Sequence, residues 1–96
     1  MVKISVVFDS GHEDEYEHGL MLLLNAADVE MKVQAIFMNQ ALSAMTESML
    51  KKIGQLALYE VPTFTLAFHK AIPEAQVITY ECLTKLLSKS EHVLFV

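Results

Sequence analysis

The chain has 96 residues, of which 53% are apolar, and its seven basic and twelve acidic residues give a net charge of −5. This length suits one domain over residues 1–96 and is too short for two. The apolar content excludes a disordered or collagen-like chain. All the basic residues are lysine, so the arginine forks typical of nucleic-acid-binding proteins are absent, and we expect no direct binding of nucleic acid.

An apolar excess in so small a domain predicts association into an oligomer. The single cysteine, Cys82, cannot form an internal disulfide, which excludes a disulfide-stapled secreted module. Met1–Phe8 contains too short an apolar stretch for a secretory signal, and the apolar run Leu20–Leu24 is far shorter than a membrane span. We therefore expect a cytoplasmic protein that does not associate with membranes.

Apolar, β-branched runs alternate with helical patterns along the chain. Lys3–Phe8 is apolar almost throughout, which predicts a strand covered on both faces. After the break at Asp9–Gly11, a helix is predicted from about Asp14 to Ala27, with acidic residues in its first turn. Met31–Met38 predicts the second strand.

The second half predicts a long helix, two short strands, a capped helix and a final strand. These are a helix from about Gln40 to Tyr59, strands at Thr63–Phe68 and Gln76–Ile78, a helix capped by Thr79, and a strand at His92–Val96. Gly54 weakens the long helix or marks a close contact. The alternation predicts an α/β fold, a single-domain three-layer sandwich with a mostly parallel five-stranded sheet and helices on both faces.

The loop after the first strand is the first candidate for chemistry, because sites in parallel sheets gather beyond the carboxyl ends of the strands. Asp9–His18 holds five of the twelve acidic residues and two of the four histidines. Imidazole and carboxylate suit zinc or iron, but His12, Glu13 and His18 lack the spacing that places two histidines on one helix face. We interpret the loop as a solvated helix start, and its charge disfavours phosphate.

Cys82 is the second candidate, because the first turn of a helix favours a thiolate nucleophile. Glu81 adjoins it, and Leu86 one turn further on indicates a packed face, so we predict a half-buried structural cysteine. His69 and His92 are isolated and are predicted to be surface or strand-end histidines. The residues therefore assign no catalytic, cofactor-binding or metal-binding site, and we expect no cofactor.

Stretches over nearly the whole chain share the order and spacing of one known family. They are Lys3–Phe8 with the small-residue loop after it, Gly19–Leu24 leading into Val33–Phe37, Lys52–Val61, and Cys82–Val96. Through them the sequence resembles the DsrE/DsrF-like family, and specifically its TusC/DsrF branch. The length also fits the TusB/DsrH branch, but the first loop and the chain end fit TusC better.

The resemblance implies a subunit of a sulfur-relay complex. In that family, TusB-, TusC- and TusD-type subunits form a hetero-oligomer that accepts persulfide sulfur from a TusA-type carrier. The sulfur passes toward 2-thiouridine at the tRNA wobble position or, in the Dsr branch, serves sulfur oxidation. The partners implied are TusB/DsrH-like and TusD/DsrE-like subunits or further copies of this chain, with the TusA-type carrier reached through the complex.

The family's catalytic cysteine belongs to the TusD/DsrE-type partner, after its third strand. The matching stretch here, Thr63–His69, contains no cysteine, and Cys82 does not match that position. The resemblance therefore implies a non-catalytic subunit. The segment between Met38 and Leu50 is shorter than in the branch, and the first loop is more acidic. Two alternatives stay open: a sulfurtransferase that carries persulfide on Cys82, and a stand-alone homo-oligomeric binding module.

Overall fold

Strands and helices alternate in the computed structural model, which describes residues 2–66, 72 and 75–96. In chain order they are β1 (Val2–Phe8), α1 (Glu13–Asp28), β2 (Val33–Phe37), α2 (Asn39–Ser43), α3 (Glu47–Leu58), β3 (Thr63–Thr65), β4 (Gln76–Val77), α4 (Tyr80–Ser88) and β5 (Ser90–Phe95).

The described strands form one sheet in the order β4-β3-β2-β1-β5, and each pairing between them is parallel. This confirms the predicted α/β fold class, with an all-parallel sheet where the sequence predicted a mostly parallel one. β1 joins β5 to the other described strands, because Val6 is paired with Ala35 of β2 on one side and Leu94 of β5 on the other. The carboxyl ends of all strands therefore lie at one edge.

Helices α1 and α3 cover one face of the sheet and form the larger core with it. Val6 and Phe8 of β1 and Ala35 and Phe37 of β2 are fully buried in this core. The helices contribute residues at three- and four-residue spacing, as an amphipathic face requires: Tyr16, Leu20 and Leu23 from α1, and Met49, Ile53 and Leu56 from α3.

Helix α4 covers the opposite face, where Val7 and Ile36 pack with Leu83. The same face has a polar cluster near the carboxyl end of α4. Gln34 Nε2 donates a hydrogen bond to Ser5 Oγ at 2.7 Å, the hydroxyls of Ser5 and Ser90 share a short one, and Ser90 Oγ donates to the Leu86 carbonyl at 3.1 Å. Because Ser5 and Gln34 are buried, these bonds offset the cost of removing polar groups from water.

A glycine allows α1 to approach β1 closely. A Cβ atom placed on Gly19 would lie 2.8 Å from Cε1 of Phe8. The Phe8 ring cannot easily move away, because it is stacked on Phe37 with a centroid distance of 4.5 Å and an interplanar angle of 10°. Gly19 is therefore required by packing, although glycine weakens a helix interior.

The helix predicted from about Gln40 to Tyr59 is wrong in its continuity, because the chain forms two helices there. Ala44 ends α2, and Thr46 begins α3 as its N-cap, with its hydroxyl accepting a hydrogen bond from the Met49 amide at 3.1 Å. A threonine side chain that competes for backbone amides favours a new helix start over continuation. Gly54 lies inside α3, which continues through it to Leu58.

The remaining boundaries differ by a few residues from the prediction. The third strand is described as Thr63–Thr65, and the rest of the predicted Thr63–Phe68 strand lies partly outside the described residues. The last strand begins at Ser90, two residues before the predicted His92. Among the described residues, no helix has the length and apolar character needed to cross a bilayer.

An ion pair joins α1 to α3 at the protein surface. Lys52 Nζ lies 2.6 Å from Glu17 Oε2, and both side chains are largely covered, with 22% and 24% of their areas exposed. The hydrogen bond from Lys52 is the main reason why the pKa of Glu17 lies below its ordinary value of 4.5, and partial burial opposes this effect. The pair therefore stabilises the fold only while Glu17 is ionised.

We expect Gly19→Ala to destabilise the protein. The new methyl group meets the buried Phe8 ring, and such overpacking costs about 1–3 kcal/mol, against a gain of about 1 kcal/mol in helix propensity. The free energy of unfolding in urea should fall by about 1 kcal/mol. Asn25→Ala, at an exposed position of the same helix, is the control and should leave stability unchanged or slightly higher. Equal or greater stability of Gly19→Ala would contradict the close packing.

We expect Glu17→Gln to lower the free energy of unfolding by about 0.5–1 kcal/mol at neutral pH. A lowered folded-state pKa gives stabilisation that is present above the ordinary value of 4.5 and is lost as pH falls below it. The difference between variant and native protein should therefore shrink as the pH falls below 4.5 through the lowered pKa of Glu17. Glu13→Gln removes the same charge elsewhere on α1 and is the control. A difference that is constant with pH would exclude this ion-pair contribution.

Candidate functional site

At the carboxyl ends of β1 and β5, the first loop, residues 9–12, contacts Val96. The Asp9 amide donates to the Val96 carbonyl at 2.7 Å, and the Val96 amide donates to the Val7 carbonyl at 2.9 Å. A Cβ atom on Gly11 would lie 2.8 Å from the Val96 carbonyl carbon. The loop therefore lies directly on the end of β5.

Tyr16 of α1 holds the first loop in place through a hydrogen bond. Its hydroxyl donates a hydrogen bond to the Asp9 carbonyl at 2.9 Å, and its ring packs against Phe8 with a centroid distance of 6.2 Å. Burial is the main cause that raises the pKa of Tyr16 above its ordinary value of 10.0, and the charges of Asp9 and Glu15 add to it. The phenol therefore stays protonated near neutral pH and remains a donor to the loop.

The start of α1 is occupied by a carboxylate of the chain itself. The His12 amide donates to Glu15 Oε1 at 2.9 Å, and Glu13 and Asp14 add further negative charge to the first turn. These acids interact favourably with the helix dipole. They also repel an external phosphate, so this helix start has the solvated, acid-rich character that the sequence indicates.

The structure separates the candidate histidines. His12 and His18 are exposed, and His18 lines a shallow groove of about 310 Å³ between α1 and β5 together with Leu22 and Leu94. His92 is exposed on β5 opposite Ile4. His69 lies outside the described residues. Within the part of the chain that the structure describes, no three histidine, cysteine or acidic side chains come together in a way that could hold a metal ion.

Cys82 lies in the first turn of α4 and is half-buried. Thr79 caps this helix as predicted, and its hydroxyl accepts a hydrogen bond from the Cys82 amide at 3.2 Å. The cysteine packs against the smaller core, which contains Ile78 and Leu83. This position holds the thiol against apolar side chains, and the structural role of Cys82 stays a prediction.

A groove that the sequence analysis did not predict lies at the opposite end of the molecule, where α1 and α3 end. Tyr59 Oη donates a hydrogen bond to Asp28 Oδ1 at 3.0 Å and joins the two helix ends. Two adjoining cavities of about 540 and 520 Å³ meet at Tyr59. We call them together the helix-end groove, lined among others by Leu24, Asp28, Glu30, Leu58, Tyr59 and Glu60.

The sequence contains one signal for this groove. Ala27–Met31 and Ala57–Val61 share the pattern A-x-[VY]-E-[MV], and each segment ends a helix just before a strand. Glu30 and Glu60 occupy equivalent positions in the two segments, with φ values of 63° and 60°. The pattern alone does not reveal that the two helix ends are neighbours, because that depends on the strand order.

The order of strands, the two helix layers and the crossovers define a DsrE-like fold. The whole chain superposes on the whole chain of a solved structure, described as the crystal structure of the ychN protein from E. coli, with a TM-score of 0.82. The two sequences are 14% identical, so this likeness concerns the fold. No protein-family model matches the sequence, and no curated protein matches it.

Proposed function

We propose that this protein is a non-catalytic subunit of a sulfur-relay complex, similar in role to TusC. The DsrE-like fold over the whole chain carries the proposal. The order of the motifs in the sequence supports the same role. In such a complex, a TusD/DsrE-like subunit supplies the reactive cysteine, and a TusA-type carrier delivers persulfide sulfur. The sulfur then passes toward tRNA wobble 2-thiouridine or sulfur oxidation.

The distribution of cysteine supports a non-catalytic role. The chain has no cysteine in Thr63–His69, where the family's reactive cysteine follows the third strand. Cys82 is at a different place, half-buried in the first turn of α4. Sulfur transfer needs a thiolate that can reach both donor and acceptor, and packing against the smaller core limits such access.

The β5 edge of the sheet supports association with other subunits. β5 is paired only with β1 among the described strands, and it presents Leu94 and Phe95, which are 41% and 63% exposed. An edge strand with exposed apolar side chains favours contact with another chain. We propose that a TusB/DsrH-like or TusD/DsrE-like subunit covers this edge, and a second copy of this chain is the alternative.

Coexpression with TusB- and TusD-like subunits should give a complex whose mass exceeds that of this chain alone, measured by light scattering. Leu94→Ser with Phe95→Ser should weaken the complex by at least about tenfold, because the change removes apolar contact area. Leu50→Ser, at an exposed position of α3, is the matched control and should leave the complex intact. A homo-oligomer without these partners would favour the stand-alone binding module, and a persistent monomer would contradict both.

We expect Cys82→Ser to leave sulfur transfer by the assembled complex nearly unchanged. Its cost should be confined to stability, at about 1 kcal/mol, because a hydroxyl replaces a thiol in a partly packed position. The test incubates the complex with a cysteine desulfurase and a TusA-type carrier and measures the mass of this chain. A transferable adduct of about 32 Da on Cys82, the mass of one sulfur atom, would contradict the proposal and favour a persulfide-carrying enzyme.

A further inference from the structure

The helix-end groove has large apolar side chains that are exposed to solvent. Leu58, which lines the first cavity, is 85% exposed, and Tyr59, which lines both cavities, is 48% exposed. Both side chains adjoin the half-buried Leu24 in the lining of the first cavity. Contiguous exposed apolar side chains beside a concave surface indicate a contact site for another molecule.

The rim of the groove is negatively charged. Asp28, Glu30 and Glu60 line it, and Lys32 is the one cation among its described lining residues. The ends of α1 and α3 add partial negative charge, since carbonyl groups point outward from a helix carboxyl terminus. Neither last turn, each fully within the described residues, contains a lysine to offset this potential.

Glu30 and Glu60 lie at positions where another residue type would make the fold more stable. The Glu30 and Glu60 amides donate to the Ala27 and Ala57 carbonyls, both at 2.9 Å, which closes each helix with a left-handed residue. Glycine suits this backbone conformation best. A carboxylate here also lies at the unfavourable end of the helix dipole. Both neighbouring helix ends thus have a glutamate at a position where its backbone conformation and its charge lower the stability of the fold. The two glutamates line the same groove.

We propose that the helix-end groove docks a cationic amphipathic segment of a protein partner, whose apolar side chains cover Leu58 and Tyr59 while its lysines or arginines face the acidic rim. A second copy of this chain suits the groove poorly, because each copy has a net charge of −5 and no arginine. An apolar groove between two helices accepts the apolar face of a third helix. The surrounding acids then set the sign of charge on the partner and speed its approach.

This surface is distinct from the exposed Leu94 and Phe95 of β5, although Val2 in its lining is paired with Ser90 at the start of that strand. It does not depend on the proposed function. The two helices that form it cover the larger core, and none of the groove's lining residues belongs to β5. The docking experiment therefore needs neither TusB- nor TusD-like subunits. Its failure would leave the sulfur-relay proposal standing, and failure of that proposal would leave the groove available to a cationic partner.

The probe is a fluorescent helical peptide of about 15 residues, with leucines on one face and lysines elsewhere. Binding to the full chain is measured by fluorescence anisotropy, and its position is mapped by NMR amide shifts. We expect micromolar affinity that weakens with salt, with shifts confined to residues 24–32 and 55–62. A peptide with glutamate in place of lysine should not bind. No binding of the cationic peptide, or shifts centred on the first loop or on β5, would overturn the proposal.

Variants separate the groove from general charge attraction. Asp28→Asn with Glu30→Gln and Glu60→Gln should weaken peptide binding by about tenfold or more. The control combines Glu13→Gln, Asp14→Asn and Glu47→Gln, which removes equal charge at the other ends of α1 and α3 and should change affinity less than about twofold. Leu58→Ser should also weaken binding, and Leu50→Ser should not. Equal effects of groove and control variants would refute a specific site.

Glu30→Gly with Glu60→Gly distinguishes a binding role of the two glutamates from a purely structural one. Glycine relieves the left-handed backbone at both positions and removes charge from the helix ends, so Tm should rise by roughly 4 °C or more. Peptide binding should weaken at the same time. Higher stability with unchanged affinity would overturn the proposal, as would equally tight binding of spermine, which has charge but no apolar face. Concentration-dependent shifts at the groove without peptide would assign it to a second copy instead.

Discussion

The contact of Phe8 with its neighbours is the constraint on which the rest of the structure depends. Phe8 ends β1, stacks on Phe37 at the end of β2, and lies against Gly19 of α1 and the ring of Tyr16. This one ring therefore sets the distance between the sheet and α1 at the edge where the strands end. Tyr16, held in turn by the aromatic cluster, fixes the backbone of the first loop through the Asp9 carbonyl.

The sequence predicts the layers of this fold well because their signals are local. β1 and β2 are largely apolar runs, and helices cover them on both faces of the sheet. The apolar positions of α1 and α3 repeat at helical spacing. The break between α2 and α3 is harder to predict, because the apolar pattern continues through it. There the helix begins where the Thr46 hydroxyl accepts a hydrogen bond from the Met49 amide. A pattern of apolar residues contains no information about such a capping bond.

The sites divide in a similar way between local and long-range information. The acid-rich start of α1 and the capped first turn around Cys82 follow from neighbours in sequence, so residue types and spacing are sufficient to predict them. The helix-end groove is different, since Asp28 and Tyr59 meet only because β2 and β3 lie side by side and bring the ends of α1 and α3 together. The two glutamates in left-handed conformation indicate this place only when they are compared with each other.

The pairing of the first strand with the last has a consequence for how the chain folds during synthesis. β1 emerges before β5, and its outer edge is hydrogen-bonded only when β5 arrives, after the other described strands and helices. Until then, the apolar β1 has one free edge that can pair with another nascent chain. Joining elements so far apart in sequence is also slow, because a large loop must close first. Residues 90–96 lie at the outside of the sheet and are partly exposed. Their late arrival thus protects β1, which pairs with both β2 and β5.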